Sequence, residues 1–368
     1  MRVLHLAPGP TQPSGIAAYA SHFVASLRRA GVDVQQRDVR AEGVGSLDGF
    51  SLVHAELGCA CRDEFRVLEH LARTREVPFV ATLHDPPWFV WRPFTPAAVA
   101  HRRVTAAAAS TLMAPRARRV QQAIARAAEG LLVMSEAAMP ATRRTLGLNG
   151  GDRLCRIHYP RRLPPRPAPP ARGQDDELVA GFHGFWFGGK GIELLVDAVA
   201  LLRDDARPIS VRLWGESPPD GAYGTRYRDD VLRRIRARGV GHLVTLGGAI
   251  AANALDETLR EAHVIVLPHR SDPITYRGLK SVSGALEDAL GAGVPVIASD
   301  VRAFAEQIRQ GVDGLLVAPD DPQALATALR RLRDEPGLLA RLQAGAATPR
   351  DAPEPGEVAR ALYEDVLG

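Results

Sequence analysis

The chain has 368 residues, 46% of them apolar and 24% charged, which is the usage of an ordinary globular protein and is long enough for two domains, each with its own core. Those proportions exclude a disordered tail protein and a coiled coil. Its 46 basic and 42 acidic side chains leave a net charge of +4, too weak a field to imply nucleic acid as a partner.

The opening Met1-Arg2-Val3-Leu4-His5-Leu6-Ala7-Pro8 is too short an apolar stretch for a signal peptide and reads as a buried first strand, Val3–Ala7. No apolar run approaches the roughly 20 residues needed to span a bilayer. A cytoplasmic protein is expected. Ser51–His54, Phe79–Leu83 and Gly130–Met134 are the next strand candidates. The cysteines Cys59, Cys61 and Cys155 are sparse and odd in number, which fits a reducing compartment. Cys59 and Cys61 lie near His54 and Glu56, but their spacing falls short of a zinc pattern, and no metal ligand is expected.

A proline-rich stretch at 161–177 without apolar periodicity reads as an extended linker. Beyond it, strands are expected at Val179–Phe182, Val211–Trp214, Leu243–Leu246, Val264–Leu267, Pro295–Ala298 and Gly314–Val317, with amphipathic helices between them. Short apolar strands alternating with helices make an α/β chain of βα units around parallel sheets. The predicted organisation is two doubly wound Rossmann-like domains facing a central cleft. The first domain covers 1–160 and the second 178–350, and a final short amphipathic helix is expected within 351–368.

Ligands of such sheets bind at the carboxyl ends of strands, where loops enter helix N-termini. Four segments fall at such ends. Gly15, after Pro8-Gly9-Pro10-Thr11-Gln12-Pro13-Ser14, opens a helix where free amides favour an anion, although GxGxxG spacing is absent and a plain helix start is the ordinary alternative. His84 follows the strand that ends at Leu83 and precedes Asp85-Pro86-Pro87; it could donate to a sugar hydroxyl or move a proton, or simply cap the strand.

Lys190 stands among glycines in Gly188-Gly189-Lys190-Gly191, directly before a helix, a placement that suits a diphosphate although Walker A spacing is missing. It is one of just two lysines, the other being Lys280, in a chain that otherwise uses arginine. Lysine is the compact point charge of the pair, so its sparing use favours a specific role. Ser283 and Gly284 form the last start, with Ser283 as N-cap and Glu287 and Asp288 one turn later.

These motifs resemble the retaining glycosyltransferases of family 4, with their type B architecture of two Rossmann-like domains. The resemblance covers most of the chain and is strongest from Gly181 to Pro319. It implies that Gly15 approaches the donor phosphates, that His84, in Val80-Ala81-Thr82-Leu83-His84-Asp85, faces donor sugar and acceptor, and that Lys190 binds the donor diphosphate. The acidic residue five before Gly293 in Gly293-Val294-Pro295-Val296-Ile297-Ala298-Ser299 implies ribose binding by Asp288, with Glu287 adjacent. The first glutamate of the family's usual pair falls on Lys280, and its common arginine on Phe185. The Ser283-Gly284-Ala285-Leu286 run is similar to a branch in which helix amides meet the donor instead, which leaves Lys280 as a contact for a phosphate or an acidic donor sugar.

The expected activity is transfer of a sugar from a nucleoside diphosphate, UDP- or GDP-linked, to a hydroxyl or amine acceptor with retention, without a cofactor or metal. Its setting would be natural-product or envelope glycan biosynthesis. A nucleotide-sugar-binding pseudoenzyme and a related epimerase are the alternatives. From Pro86 to Ala128 there are seven arginines and no acid, a stretch suited to an acidic acceptor or to peripheral contact with the anionic inner face of a membrane, or else a solvated helix face.

Overall fold

The computed structural model describes residues 1–9, 14–58, 61–87, 103–151, 153–160, 177–217, 222–271, 281–301 and 303–368, with the backbone alone at 103–114 and 222–224. Most of the proline-rich stretch, and Lys280 and Cys59, lie outside the described residues. The chain divides into two compact units, one drawn over Met1–Pro160, Gly278–Val282 and Ala352–Gly368, the other over Arg161–Arg277 and Ser283–Asp351.

The first unit holds strands β1 (Arg2–Leu6), β2 (Asp33–Arg37), β3 (Leu52–Leu57), β4 (Phe79–Leu83), β5 (Gly130–Val133) and β6 (Leu154–Arg156). They form one parallel sheet in the order β2-β1-β3-β4-β5-β6. Its helices are α1 (Gly15–Arg29), α2 (Val39–Glu42), α3 (Arg62–Thr74), α4 (Arg103–Ala127), α5 (Ala138–Leu146) and, from the far end of the chain, α13 (Pro355–Leu367). One sheet face packs Leu4, Leu6, Val53, Ala55, Ala81 and Leu83 into a core with Phe65 and Leu68 of α3. The other face carries Val3, Leu52 and Val80 against Tyr19 and Phe23 of α1 and Tyr363 of α13. β3 runs on to Leu57, past the expected end at His54, because the buried polar side chains of His54 and Glu56 find partners inside the sheet.

The second unit repeats the plan with β7 (Leu178–His183), β8 (Ile209–Trp214), β9 (Val244–Gly248), β10 (Val264–Leu267), β11 (Val296–Ser299) and β12 (Gly314–Val317), parallel throughout in the order β12-β11-β10-β7-β8-β9. The helices that matter for its site are α6 (Ile192–Ala200), α9 (Gly284–Gly291) and α10 (Phe304–Gln307), and α11 (Pro322–Asp334) covers the core beside α6. Among the described residues no helix is long and apolar enough to cross a membrane.

Helix α13 docks on α1 through Ser26, whose hydroxyl donates to Glu354 Oε2 at 2.7 Å and accepts from the Gly356 N–H at 2.9 Å. A Cβ on Gly356 would lie 2.3 Å from the Ser26 carbonyl, so glycine is what lets the two backbones meet. Gly356→Ala is expected to destabilise the first unit by about 1–3 kcal/mol through overpacking; urea unfolding followed by fluorescence reads this, and an unchanged midpoint would show that the helix can lift at no cost.

Candidate active site

In the first unit the strand period of two decides what reaches the carboxyl edge. His5 lies opposite His54, and Glu56 opposite Thr82, so these side chains share one face with His84, which follows β4. The His84 N–H donates to the Leu57 carbonyl at 2.8 Å, extending the ladder by one residue. Toward their amino ends the same strands are apolar on this face; toward their carboxyl ends they are polar and buried.

Glu56 is wholly buried and takes two imidazole donors, His5 Nε2 to Oε1 and His84 Nε2 to Oε2, each at 2.8 Å. Burial pushes its carboxyl up, but the hydrogen bonds from His5 and His84 outweigh it and hold the group well below the usual carboxylate range. His54, also fully buried, bonds Thr82 Oγ1 at 2.7 Å and the Tyr363 hydroxyl of α13. Desolvation lowers its pKa to about 3, so its ring is neutral at pH 7. His5, His54 and Glu56 are, among the described residues, the group whose ligand atoms all fall within 4.8 Å of one another. Their contacts are hydrogen bonds within the protein, with Glu56 and His54 each engaged on both polar atoms.

The ring of His84 is 10% exposed and stands edge-on to Tyr19 of α1, with centroids 4.6 Å apart. A Cβ on Gly58 would come within 2.5 Å of Ile16 Cδ1 and 3.2 Å of His84 Cβ, so the end of β3, the end of β4 and the first turn of α1 crowd together there. Gly15 begins α1 behind Ser14, which caps the Ala17 N–H at 3.0 Å. A Cβ at Gly15 would meet nothing within 4 Å among the described residues, so packing against them does not require the glycine.

In the second unit Lys190 closes a short 3-10 turn, Gly188–Lys190, and Gly191 follows with φ +66°. A Cβ on Gly191 would lie 1.9 Å from the Pro268 carbonyl oxygen, so this turn presses against the segment after β10. Lys190 Nζ lies 3.3 Å from His269 Nε2 and 5.4 Å above the Phe187 ring. An ammonium can only donate, so His269 accepts at Nε2. Arg270 joins the turn to the same segment: its N–H donates to the Gly189 carbonyl at 3.1 Å, and its guanidinium pairs with Glu193 at 2.8 Å and Asp320 at 3.0 Å.

Helix α9 starts behind Ser283, whose hydroxyl caps the Leu286 N–H at 3.4 Å. Gln307 of α10 supports that start, accepting from the Ser283 N–H at 2.8 Å and donating to Glu287 Oε1 at 2.9 Å. The two acids thereby separate. Glu287 is buried against Gln307, whereas Asp288 is about one-fifth exposed and faces His183 at the end of β7, 3.4 Å away. The N–H of Ser283 is committed to Gln307, and those of Gly284 and Ala285 have no partner among the described residues. A dipole end with open amides favours an anion.

The sequence singles out His84, Lys190 and Asp288 but not the side chains that hold them. His5 and Gln307 belong to no motif, and Cys61, near His54 and Glu56 in sequence, precedes α3 as a buried side chain. Polar residues at alternate positions of otherwise apolar strands were the available signal.

Residues 177–335 match the family model described as glycosyl transferases, group 1. The D-inositol 3-phosphate glycosyltransferase of Streptomyces griseus is 30% identical over 173 residues, 47% of this chain and 35% of that protein. The alpha-D-kanosaminyltransferase of Streptomyces kanamyceticus is 27% identical over 175 residues, 48% of this chain and 41% of its own length. The match thus spans well under half of these relatives. In fold, the whole chain superposes on sucrose-phosphate synthase of Thermosynechococcus elongatus with a TM-score of 0.68 at 19% identity, covering 96% of that chain. It also superposes on Anabaena HepE, solved with UDP, with a TM-score of 0.67 at 15% identity and 98% coverage of that chain. The architecture is therefore the two-Rossmann fold of type B glycosyltransferases.

His54 offers a test of the first unit's polar layer. Its folded ring stays neutral down to about pH 3, while in the unfolded chain it takes a proton below about 6.5. Acidification therefore favours unfolding across that window, by about 2 kcal/mol between pH 7 and 5. Glu64, pushed up to about 7 by burial, works in the opposite direction, so the comparison is made against a variant. His54→Gln is expected to lose less stability than wild type over this interval in urea titrations, and parallel profiles would contradict the assignment.

Proposed function

We propose that this chain, whose second unit carries the group 1 glycosyl transferase domain, moves a glycosyl unit from a nucleoside diphosphate sugar to a hydroxyl or amine acceptor with retention of configuration. The observation that carries this reading is Lys190. One of two lysines in the chain, it is held by a glycine turn beside His269 at the carboxyl edge of the second sheet.

The departing group is a diphosphate, and charge develops on its leaving oxygen as the glycosidic bond breaks. The Lys190 ammonium and the open amides of Gly284 and Ala285 are fixed donors for that charge, and preorganised donors need no reorganisation during the reaction. Asp288 is the ribose ligand in this scheme; Glu287 acts behind it, holding the helix start through Gln307. Gly15 leaves backbone open to the donor, and His84 meets a sugar hydroxyl. Lys280 remains a proposed contact for a phosphate or an acidic sugar. The UDP complex of HepE and the names of the curated relatives support a nucleotide-linked donor and a small-molecule or glycan acceptor. Arg118, Arg119 and Arg126 are exposed on α4 and support an acidic acceptor or an anionic membrane surface as a contact.

Thermal unfolding with UDP, GDP, TDP and ADP tests the donor site. A nucleotide at 100 times its Kd is expected to add about 2.7 kcal/mol to wild type and much less to Lys190→Ala. Turnover of the matching sugar donor is expected to fall about 10²-fold or more in that variant. Equal stabilisation and equal turnover in the two proteins would remove Lys190 from the mechanism.

A further inference from the structure

We propose that Glu56 is a positioning residue for His84: it fixes the ring proton on Nε2 and so makes Nδ1 a hydrogen-bond acceptor dedicated to a ligand hydroxyl. This rests on the reading of His84 as a ligand-facing ring, and it adds what that ring can recognise and why.

The geometry fixes the hydrogen on Nε2. A carboxylate accepts and cannot donate, and Glu56 is held in its charged form by the two imidazoles that face it. Both His5 Nε2 and His84 Nε2, each 2.8 Å from a different oxygen of Glu56, must therefore carry the hydrogen. A neutral His84 with its proton on Nε2 has a lone pair on Nδ1. Nδ1 of His84 has no partner among the described residues, and the ring, packed edge-on to Tyr19, keeps 10% of its side chain exposed.

A bare lone pair in that place accepts from a hydroxyl and disfavours an acceptor-only group such as a phosphate oxygen. The ligand chemistry at this point is an alcohol, as on a sugar ring. The buried carboxylate serves this end at a cost: an ionised group out of water is tolerated because both of its oxygens are bonded.

The pair also dictates how the arrangement fails. In Glu56→Gln one oxygen becomes an NH2, which needs an acceptor, so one of the two histidines must move its proton to Nδ1. His5 Nδ1 is buried without a partner, so a hydrogen there would be a buried orphan donor. His84 Nδ1 has surface to receive one. The amide nitrogen is therefore expected to face His84, and His84, not His5, changes tautomer.

The test is a two-bond proton–nitrogen correlation spectrum of protein labelled at histidine, with the His84 signals identified by their loss in His84→Gln. Wild type is expected to show His84 protonated at Nε2 and Glu56→Gln to show it protonated at Nδ1. If a donor turns over, kcat/KM should drop about 10-fold or more in Glu56→Gln, with the nucleotide-induced thermal shift retained. A wild-type His84 protonated at Nδ1 would overturn the proposal, as would a folded Glu56→Gln with its His84 tautomer unchanged. The wild-type spectrum requires neither the variant nor a substrate, so it decides the point even if Glu56→Gln does not fold. Absence of turnover with every donor counts against the transferase reading and leaves the tautomer result standing.

Discussion

A parallel strand ladder sends every chain direction the same way, and that constraint organises both units. All carboxyl ends reach one edge of the sheet, and the helices that follow begin there with amides their own turns cannot use. In the second unit that edge is furnished for an anion, with an ammonium on a glycine turn and a capped helix start. In the first it is furnished for neutral polar groups, with imidazoles ranged around one buried carboxylate. The same backbone rule thus yields two edges of opposite chemical character, and the difference comes entirely from which side chains follow the strands.

Each edge is held by residues that never need to touch a ligand. Gln307 secures the start of α9 by bonding both the Ser283 N–H and Glu287. Arg270 ties the lysine turn to the segment after β10 through Gly189, Glu193 and Asp320. Glu56 does the same for His84. In all three cases a polar side chain is committed on more than one side, which trades mobility for a fixed direction.

Central strands were legible because burial on both faces writes a continuous apolar run, as in Phe79–Leu83 and Val264–Leu267, which match the expected bounds. The edge strands β2 and β6 were not. Asp33-Val34-Gln35-Gln36-Arg37 is polar in all but one position, and only three residues of β6 pair at the opposite rim. Lys190 stood out through scarcity, and His84 through its place after a strand. What stayed hidden depends on distance along the chain: Gln307 reaches back 24 residues to Ser283, and His5 meets Glu56 across 51. Nor can spacing alone say which of two adjacent acids points inward, since Glu287 and Asp288 differ by one helical step of about 100° and Gln307 decides between them.

The docking of α13 bears on the order in which the molecule is made. The first unit supplies its sheet from residues before 160 and its last helix from residues after 354, with the whole second unit translated in between. A nascent first unit emerges from the ribosome with Ser26 uncovered and His54 lacking the hydroxyl of Tyr363. It must wait in that state while some two hundred further residues are synthesised, at about 5–20 residues per second. Completion of the first unit thus waits on synthesis of the second, and a chain stopped just short of α13 would carry an intact second unit beside an unfinished first one.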